Sequence, residues 1–381
     1  MSKNIKSTQL TTKEKKEDIK YLVSGIEQIH CDPYKNVEKK DFEKELSKTL
    51  DCTEEEMRYV IQEALVLLRD AHTKVTRIGG SLFPIKYIFI GDILHIVGIT
   101  ENKKAFLGKK LLSINDISIE ELTKRIAKLS SQENLEVLFR DVSIYLQSNN
   151  ILKYIDVSKK DLLNIETSEG SFEINKGTEE EFQNAIVLKP LTWKKSDYIK
   201  NPTYTGNNTY RLRMEEETLV FQYNACNNRG HTENELKKFK KVLSLEASKA
   251  KSIIVDLRLN GGGDTSVMED SFENFPDNTP TYVAIGRETF SSAMHHTLFL
   301  KQHKNAVLIG ENAGQKPNRF GDRKDIVLPN SKIEVQCSYK YFELLPGQDL
   351  DVLKPNIPIP ITVESYIKQR DPLNLWIKEN L

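Results

Sequence analysis

Ser252-Ile253-Ile254-Val255-Asp256-Leu257-Arg258-Leu259-Asn260-Gly261-Gly262-Gly263-Asp264 is the stretch whose reading decides the fold. Its first half is a near-continuous apolar run, the pattern of a strand buried on both faces of a parallel sheet. Its second half breaks that run with three consecutive glycines. These allow positive φ and let backbone N–H groups approach a ligand closely. The same texture recurs on either side. Leu219-Val220-Phe221-Gln222-Tyr223 reads as a strand, and Glu233 to Ala250 as a lysine-rich amphipathic helix. Thr281-Tyr282-Val283-Ala284-Ile285 is a further strand, followed by a helix from Ser292 to about His303 and a strand at Ala306-Val307-Leu308-Ile309-Gly310. Strands alternating with helices at this spacing predict a layered α/β domain.

In such a domain functional groups gather where strands end and helices begin. The glycine loop is one such edge. It lacks both a following Gly-Lys-Ser/Thr and the G-x-G-x-x-G spacing, which argues against nucleotide binding. The second edge is Thr289-Phe290-Ser291-Ser292-Ala293-Met294. One serine there would serve simply as a helix N-cap. The same position also suits a nucleophile, because the helix dipole and the next residue's N–H face a developing oxyanion. A glycine-loop N–H would be the second donor. The two edges together favour a nucleophilic serine at this helix start, Ser291 or Ser292, over a plain cap.

The N-terminal part reads as helical. Thr53 and Glu56 form a capping box, and Met57, Val60, Ile61, Ala64, Leu65 and Leu68 recur at three- and four-residue spacing on a helix ending near Arg69. Asp70-Ala71-His72-Thr73 follows at once. Earlier helices are expected over Lys13 to Ile29 and Asp41 to Leu50. From about Pro84 the texture turns to β, with Tyr87–Ile90 and Ile93–Val97 flanking a Gly91-Asp92 hairpin turn. Leu107 to Asp116 then reads as a glycine turn, a strand and an Asn-Asp turn, and Ser118 caps a helix through Leu129. Between Gln132 and about Val187 a linker with short helices and a strand or two is expected.

Length and composition bound the rest. At 381 residues the chain has room for two or three domains. The expected division is an N-terminal helical domain at 1–76, a small α+β region with linker at 77–187, and the α/β core at 188–381. Lys+Arg and Asp+Glu are both 55, so no global field favours nucleic acid or an anionic membrane. The early lysines (Lys3, Lys6, Lys13, Lys15, Lys16, Lys20) are soon balanced by acids and read as a solvated lead-in. Cys31, Cys52, Cys226 and Cys337 lack C-x-x-C spacing, so neither a zinc site nor a disulfide framework is indicated. No cofactor is implied. No apolar run reaches a membrane span, and the first twenty residues lack the apolar core of a signal peptide. The chain as it stands reads as cytoplasmic; a removed leader would make it secreted or cell-envelope. The oligomeric state is not legible.

The ordered runs IIVDLRLNGGGDTS, YVAIGRETFSSAM, VLIGENAGQKPNRFGD, LPNSKIEVQCSYKYF and KPNIPIPITVESYIKQRDP resemble the C-terminal processing (tail-specific) serine protease family, in its tricorn-core-like branch. The similarity covers about Thr218 to Trp376, with support at Asp70–Thr73. The Leu107–Leu129 stretch resembles the second half of a PDZ-like peptide-binding domain, with Asp116 where that pattern has glycine. The resemblance implies a crotonase/ClpP-like layered α/β catalytic core with an N-terminal helical domain and a small PDZ-like α+β domain. It implies an acyl-enzyme mechanism on peptide or protein substrates.

The family's motif serine falls on Ser291. Members with a Ser–Lys dyad carry the lysine 25 residues later, which is Lys316 here. The implied oxyanion donors are the N–H groups of Gly262 and Ser292. Tricorn-like members use an upstream histidine, which His72 resembles, so the chain offers two bases. A lysine base must be neutral, which requires a shift of about 3 pKa units, roughly 4 kcal/mol. Histidine needs almost none, which ranks His72 ahead of Lys316. An orienting acid is available at Glu343, Asp349 or Asp351. The departures are Ala71, where tricorn-like members have serine, Met294 in place of glutamate, and Gln315 where glycine is common. They leave open a second reading, a member of the same fold that binds peptides or small ligands without turnover.

Overall fold

The computed structural model describes residues 9–188 and 209–381. Lys3 and Lys6 of the lead-in, and the start of the expected core, lie outside them. By internal contacts the chain divides into two compact units, each assembled from separate stretches. One comprises residues 1–87, 109–185 and 319–342; the other comprises 88–108, 186–318 and 343–381.

The second unit is built on a six-stranded sheet. Its order is Ile357–Pro358, Val307–Gly310, Thr281–Ile285, Ser252–Asp256, Thr218–Tyr223 and Tyr210–Glu215. All neighbours are parallel except the last pair, which is antiparallel. The central strands are buried on both faces because alternate side chains enter two different cores. Leu219, Phe221, Ile253, Val255, Val283, Ile285 and Leu308 pack with Phe239 and Leu243 of the helix Glu233–Lys249 and Met294 and Leu298 of the helix Ser292–His303. Val220, Ile254, Ala284 and Ile309 pack on the other face with Leu373 and Ile377 of the helix Pro372–Asn380. The result is the layered α/β architecture that the strand–helix alternation predicts. Ile93–Ile99, paired with Ile186–Val187, also belongs to this unit.

The first unit is mainly helical on one side and β on the other. Thr12–Ile29, Lys39–Ser47 and Glu54–Val66 are the three expected helices, with Thr11–Glu14 and Thr53–Glu56 capping boxes at the first and third. Their apolar stripes bury Leu22, Ile26, Phe42, Leu46, Met57 and Ile61 against Ile326, Val335 and Cys337. Those last three lie on a long hairpin, Arg319–Val327 with Glu334–Phe342, to which Lys74–Val75 adds a short strand. Leu111–Ile114 and Ile117–Ser118 turn at Asn115-Asp116, both with positive φ (49° and 63°), and Ser118 caps the helix Ile119–Ala127. Leu162–Thr167 and Gly170–Asn175 complete this antiparallel sheet. The poorly periodic region after Gln132 is thus well supplied with elements, including helices Leu135–Tyr145 and Asn149–Tyr154.

Candidate active site

In the second unit three loops leave the carboxyl ends of adjacent parallel strands: 257–264, 286–291 and 311–318. They are stitched together by named bonds. Thr289 Oγ1 donates to Leu257 O at 2.9 Å and accepts the Gly286 N–H at 3.0 Å. Phe290 N–H donates to Asn260 O at 3.0 Å, and Gly314 N–H to Thr289 O at 3.1 Å. Below them the buried Arg258 guanidinium bridges Asp256 (2.8 and 2.9 Å) and Asp371 (2.7 and 2.8 Å), anchoring the start of the glycine loop.

Ser291 stands at the junction of these loops. Its backbone is at φ 54°, ψ −121°, a sparsely populated region for a residue with a side chain, and it makes no capping bond to the helix it precedes. Such a conformation costs about 1–3 kcal/mol and persists only where the surroundings impose it. Here the Ser291 N–H donates to Gln315 Oε1 at 2.8 Å, from a side chain that is fully buried. Gln315, singled out in the sequence as a departure, is therefore a strut for the serine. Gly262 (φ +93°) packs against the same point. A Cβ there would lie 2.5 Å from Ser291 Cβ, 2.8 Å from Phe290 O and 2.9 Å from Ser292 N. Ser292 Oγ donates to Gly263 O at 2.6 Å, tying helix start and glycine loop together.

The structure thus brings Ser291, Ser292 and Gly262 side by side. The Gly262 N–H is donated to Asn260 Oδ1 at 2.9 Å, whereas among the described residues the Gly263 and Ser292 N–H groups have no hydrogen-bond acceptor. Met294 is buried in the core under the sheet rather than facing the loops. His296 is likewise buried, edge-on to Phe272 at 4.9 Å, and burial pushes its pKa down to about 3.

Lys316 is paired with Asp351 (3.0 Å) and Asp349 (3.3 Å). Partial burial acts to lower its pKa, but the two carboxylates outweigh it and hold the ammonium above the usual lysine range. That is the wrong direction for a lysine base. Glu343 is exposed, with Oε1 3.4 Å from the Gly347 N–H.

His72 lies in the first unit, in the loop that leaves the helix Glu54–Val66 through Arg69 at φ 53°. Asp70, fully buried, organises this loop. Its Oδ1 accepts the His72 N–H at 2.9 Å, its Oδ2 accepts the Thr73 hydroxyl, and His30 Nε2 stands 3.3 Å away. Gln62 accepts the Val75 N–H (2.8 Å), and Thr73 Oγ1 accepts the Ser338 N–H (3.0 Å), so the loop is held on both flanks. Burial pushes His72 down to about 4, with Asp70 opposing and Arg319, Lys74 and Arg323 adding to the shift. The imidazole is therefore neutral at pH 7. Asp70, His72 and Glu133 bring one donor atom each within 4.8 Å of one another, a separation at which a cation can be shared. The surrounding Arg319, Lys74 and Arg323 already carry positive charge, which disfavours another cation there. From the sequence Asp70, Glu133 and Arg319 carry no assigned role and Gln315 stands only as a departure; the Asp70–Thr73 run beside His72 is the one local signal.

A layered α/β protein with a strained serine at a helix start, backed by a glycine loop, is the class that fold and site define. No protein-family profile matches the sequence, and no curated protein matches it. Solved structures do. Mature CPAF complexed with lactacystin aligns over 97% of this chain and 97% of its own at 10% identity, with a TM-score of 0.70. Mature CPAF without it aligns over 94% of each chain at 11% identity and a TM-score of 0.66. A photosystem II D1 C-terminal processing protease aligns over 93% of this chain and 96% of its own at 12% identity, with a TM-score of 0.47. The chain has the mixed α/β fold of mature CPAF. Among the described residues no helix is long and apolar enough to cross a membrane.

Proposed function

We propose that this chain is a serine peptidase that cleaves extended or C-terminal peptide segments through an acyl-enzyme on Ser291. The observation that carries the reading is the strained, non-capping backbone of Ser291, held by Gln315 and abutted by Gly262. An ordinary N-cap serine adopts extended backbone and accepts from the helix; this one does neither. The CPAF fold and the ordered motifs add support.

His72 is the base in this proposal, an assignment that rests on chemistry. A neutral imidazole accepts a proton at pH 7, whereas Lys316, doubly paired and protonated, does not. Ser291 Oγ attacks the peptide carbonyl as its proton passes to His72. The oxyanion is met by backbone N–H groups of Ser292 and the Gly261–Gly263 loop. The imidazolium then protonates the leaving amine, and water releases the acyl group from Ser291 with His72 again as base.

A fluorophosphonate probe tests this directly. The wild-type chain is expected to label on the peptide containing Ser291, and Ser291→Ala to abolish labelling. Absence of wild-type label would transfer the chain to the second reading, a binding member of the same fold.

A further inference from the structure

We propose that Glu133 is a positioning residue for His72, holding its loop through the Ala71 amide while Asp70 holds the next amide, and bringing its carboxylate close to the ring; this rests on the assignment of His72 as the base. The sequence places Glu133 far from the loop, and the fold returns it there. Its Oε1 accepts the Ala71 N–H at 3.2 Å, one residue before His72. Asp70 Oδ1 accepts the N–H of His72 itself. Two successive backbone amides are thus gripped by two carboxylates, and donor atoms of all three side chains lie within 4.8 Å of one another. All three residues are buried, at 0%, 7% and 9% exposure for Asp70, His72 and Glu133, so water screens their interaction little.

The charges around His72 explain why a second carboxylate matters. Asp70 favours the imidazolium, while Lys74, on the short strand after the loop, and Arg319 and Arg323, on the facing hairpin strand, oppose it. Glu133 also attracts Arg319, which it partly neutralises beside the ring. His30 adjoins Asp70 on its far side. Asp70 alone therefore faces three cations. With Glu133 present the imidazolium that forms when Ser291 is deprotonated has two carboxylates close by, each with an oxygen within 4.8 Å of the same ring nitrogen. In the second unit Asp349 and Asp351 pair with Lys316.

Fluorophosphonate labelling of Ser291 after short pH jumps, in the full chain, tests the inference. Glu133→Gln keeps the volume and the ability to accept from Ala71 but removes the charge. Its labelling rate at pH 7 is expected to fall about 3- to 10-fold, the most that one pKa unit of lost imidazolium stabilisation can supply. Its acid limb should move to lower pH by about one unit, because a lost neighbouring carboxylate favours the neutral ring. Glu133→Asp, which retains the charge, should recover part of the rate and keep the limb near the wild-type position. A rate within twofold of wild type in Glu133→Gln, or a lower rate with an unmoved limb, overturns the proposal, the latter because it marks a merely structural role. Should Glu133→Gln fail to fold, an acid limb in Glu133→Asp displaced as far as about one unit would overturn it equally. His72→Gln separates the two assignments: labelling at the wild-type rate in that variant removes His72 as base, whereas loss of labelling there with a normal Glu133→Gln removes only the role of Glu133.

Discussion

Gly262 meets Ser291 through its absent side chain. A methyl group at 262 would lie 2.5 Å from Ser291 Cβ, and the residue's φ of +93° disfavours any L side chain. Gly262→Ala should therefore push the nucleophile out of place and lower fluorophosphonate labelling by about two orders of magnitude or more, comparable to loss of an oxyanion donor. A circular-dichroism melt should show destabilisation of about 1–3 kcal/mol. Lys316→Met is the opposite case. Its ammonium sits between two exposed carboxylates, so labelling should stay within a few-fold of wild type and stability within about 1 kcal/mol. A dead Lys316→Met with an active His72→Ala would reverse the choice of base.

At the scale of elements, the strand Ser252–Asp256 and the helix Pro372–Asn380 are joined by one buried cation. Arg258 is 5% exposed and binds Asp256 and Asp371, the residue that caps that helix by accepting the Leu373 N–H at 2.9 Å. Arg258→Met would leave two buried carboxylates without their counter-charge, at a cost of about 3–5 kcal/mol. Urea unfolding should show this as a lower midpoint with an unchanged slope. Double replacement, Arg258→Met with Asp371→Asn, should recover part of the loss, since fewer uncompensated charges remain buried. The glycine loop starts at Arg258, so reduced labelling of Ser291 is expected alongside.

Two buried histidines shape the pH response of the whole molecule. His72 is depressed to about 4 and His296 to about 3, both by burial, from an unfolded value near 6.5. Below pH 6.5 the unfolded chain binds these protons while the folded chain resists them. Stability therefore rises with pH across this window and falls as pH drops from 6.5 toward 4, by on the order of a few kcal/mol in all. Asp70 adds to the loss at still lower pH: burial raises its pKa, but bonds from His30, Ser338 and Thr73 and the charge of His72 outweigh that and hold it below the usual aspartate range. Calorimetry between pH 7 and 4 should show a declining midpoint, and His296→Phe should flatten part of the slope. An unchanged slope in that variant would mean that His296 titrates normally.

Local pattern determined much of this protein. The apolar run Ser252–Leu257 announced a strand buried on both faces because alternate residues had to enter two cores, and the structure supplies both. The capping box at Thr53 and the cap at Ser118 marked helix starts, since those side chains answer N–H groups within their own first turn. Ser291 and the glycine loop were legible for the same reason: strand, loop and helix start are neighbours in sequence. The long hairpin Arg319–Phe342 was visible only as part of a resemblance, because the four consecutive charges Asp322-Arg323-Lys324-Asp325 interrupt the apolar pattern of its first strand. What surrounds each functional group was decided by tertiary structure alone. Gln315 reaches the Ser291 amide across 24 residues, Glu133 reaches the Ala71 amide across 62, and Asp349 and Asp351 capture Lys316 from more than 30 residues away. No spacing rule encodes such meetings, because a carboxylate's effect on a base depends on distance and burial, and both are properties of the folded chain.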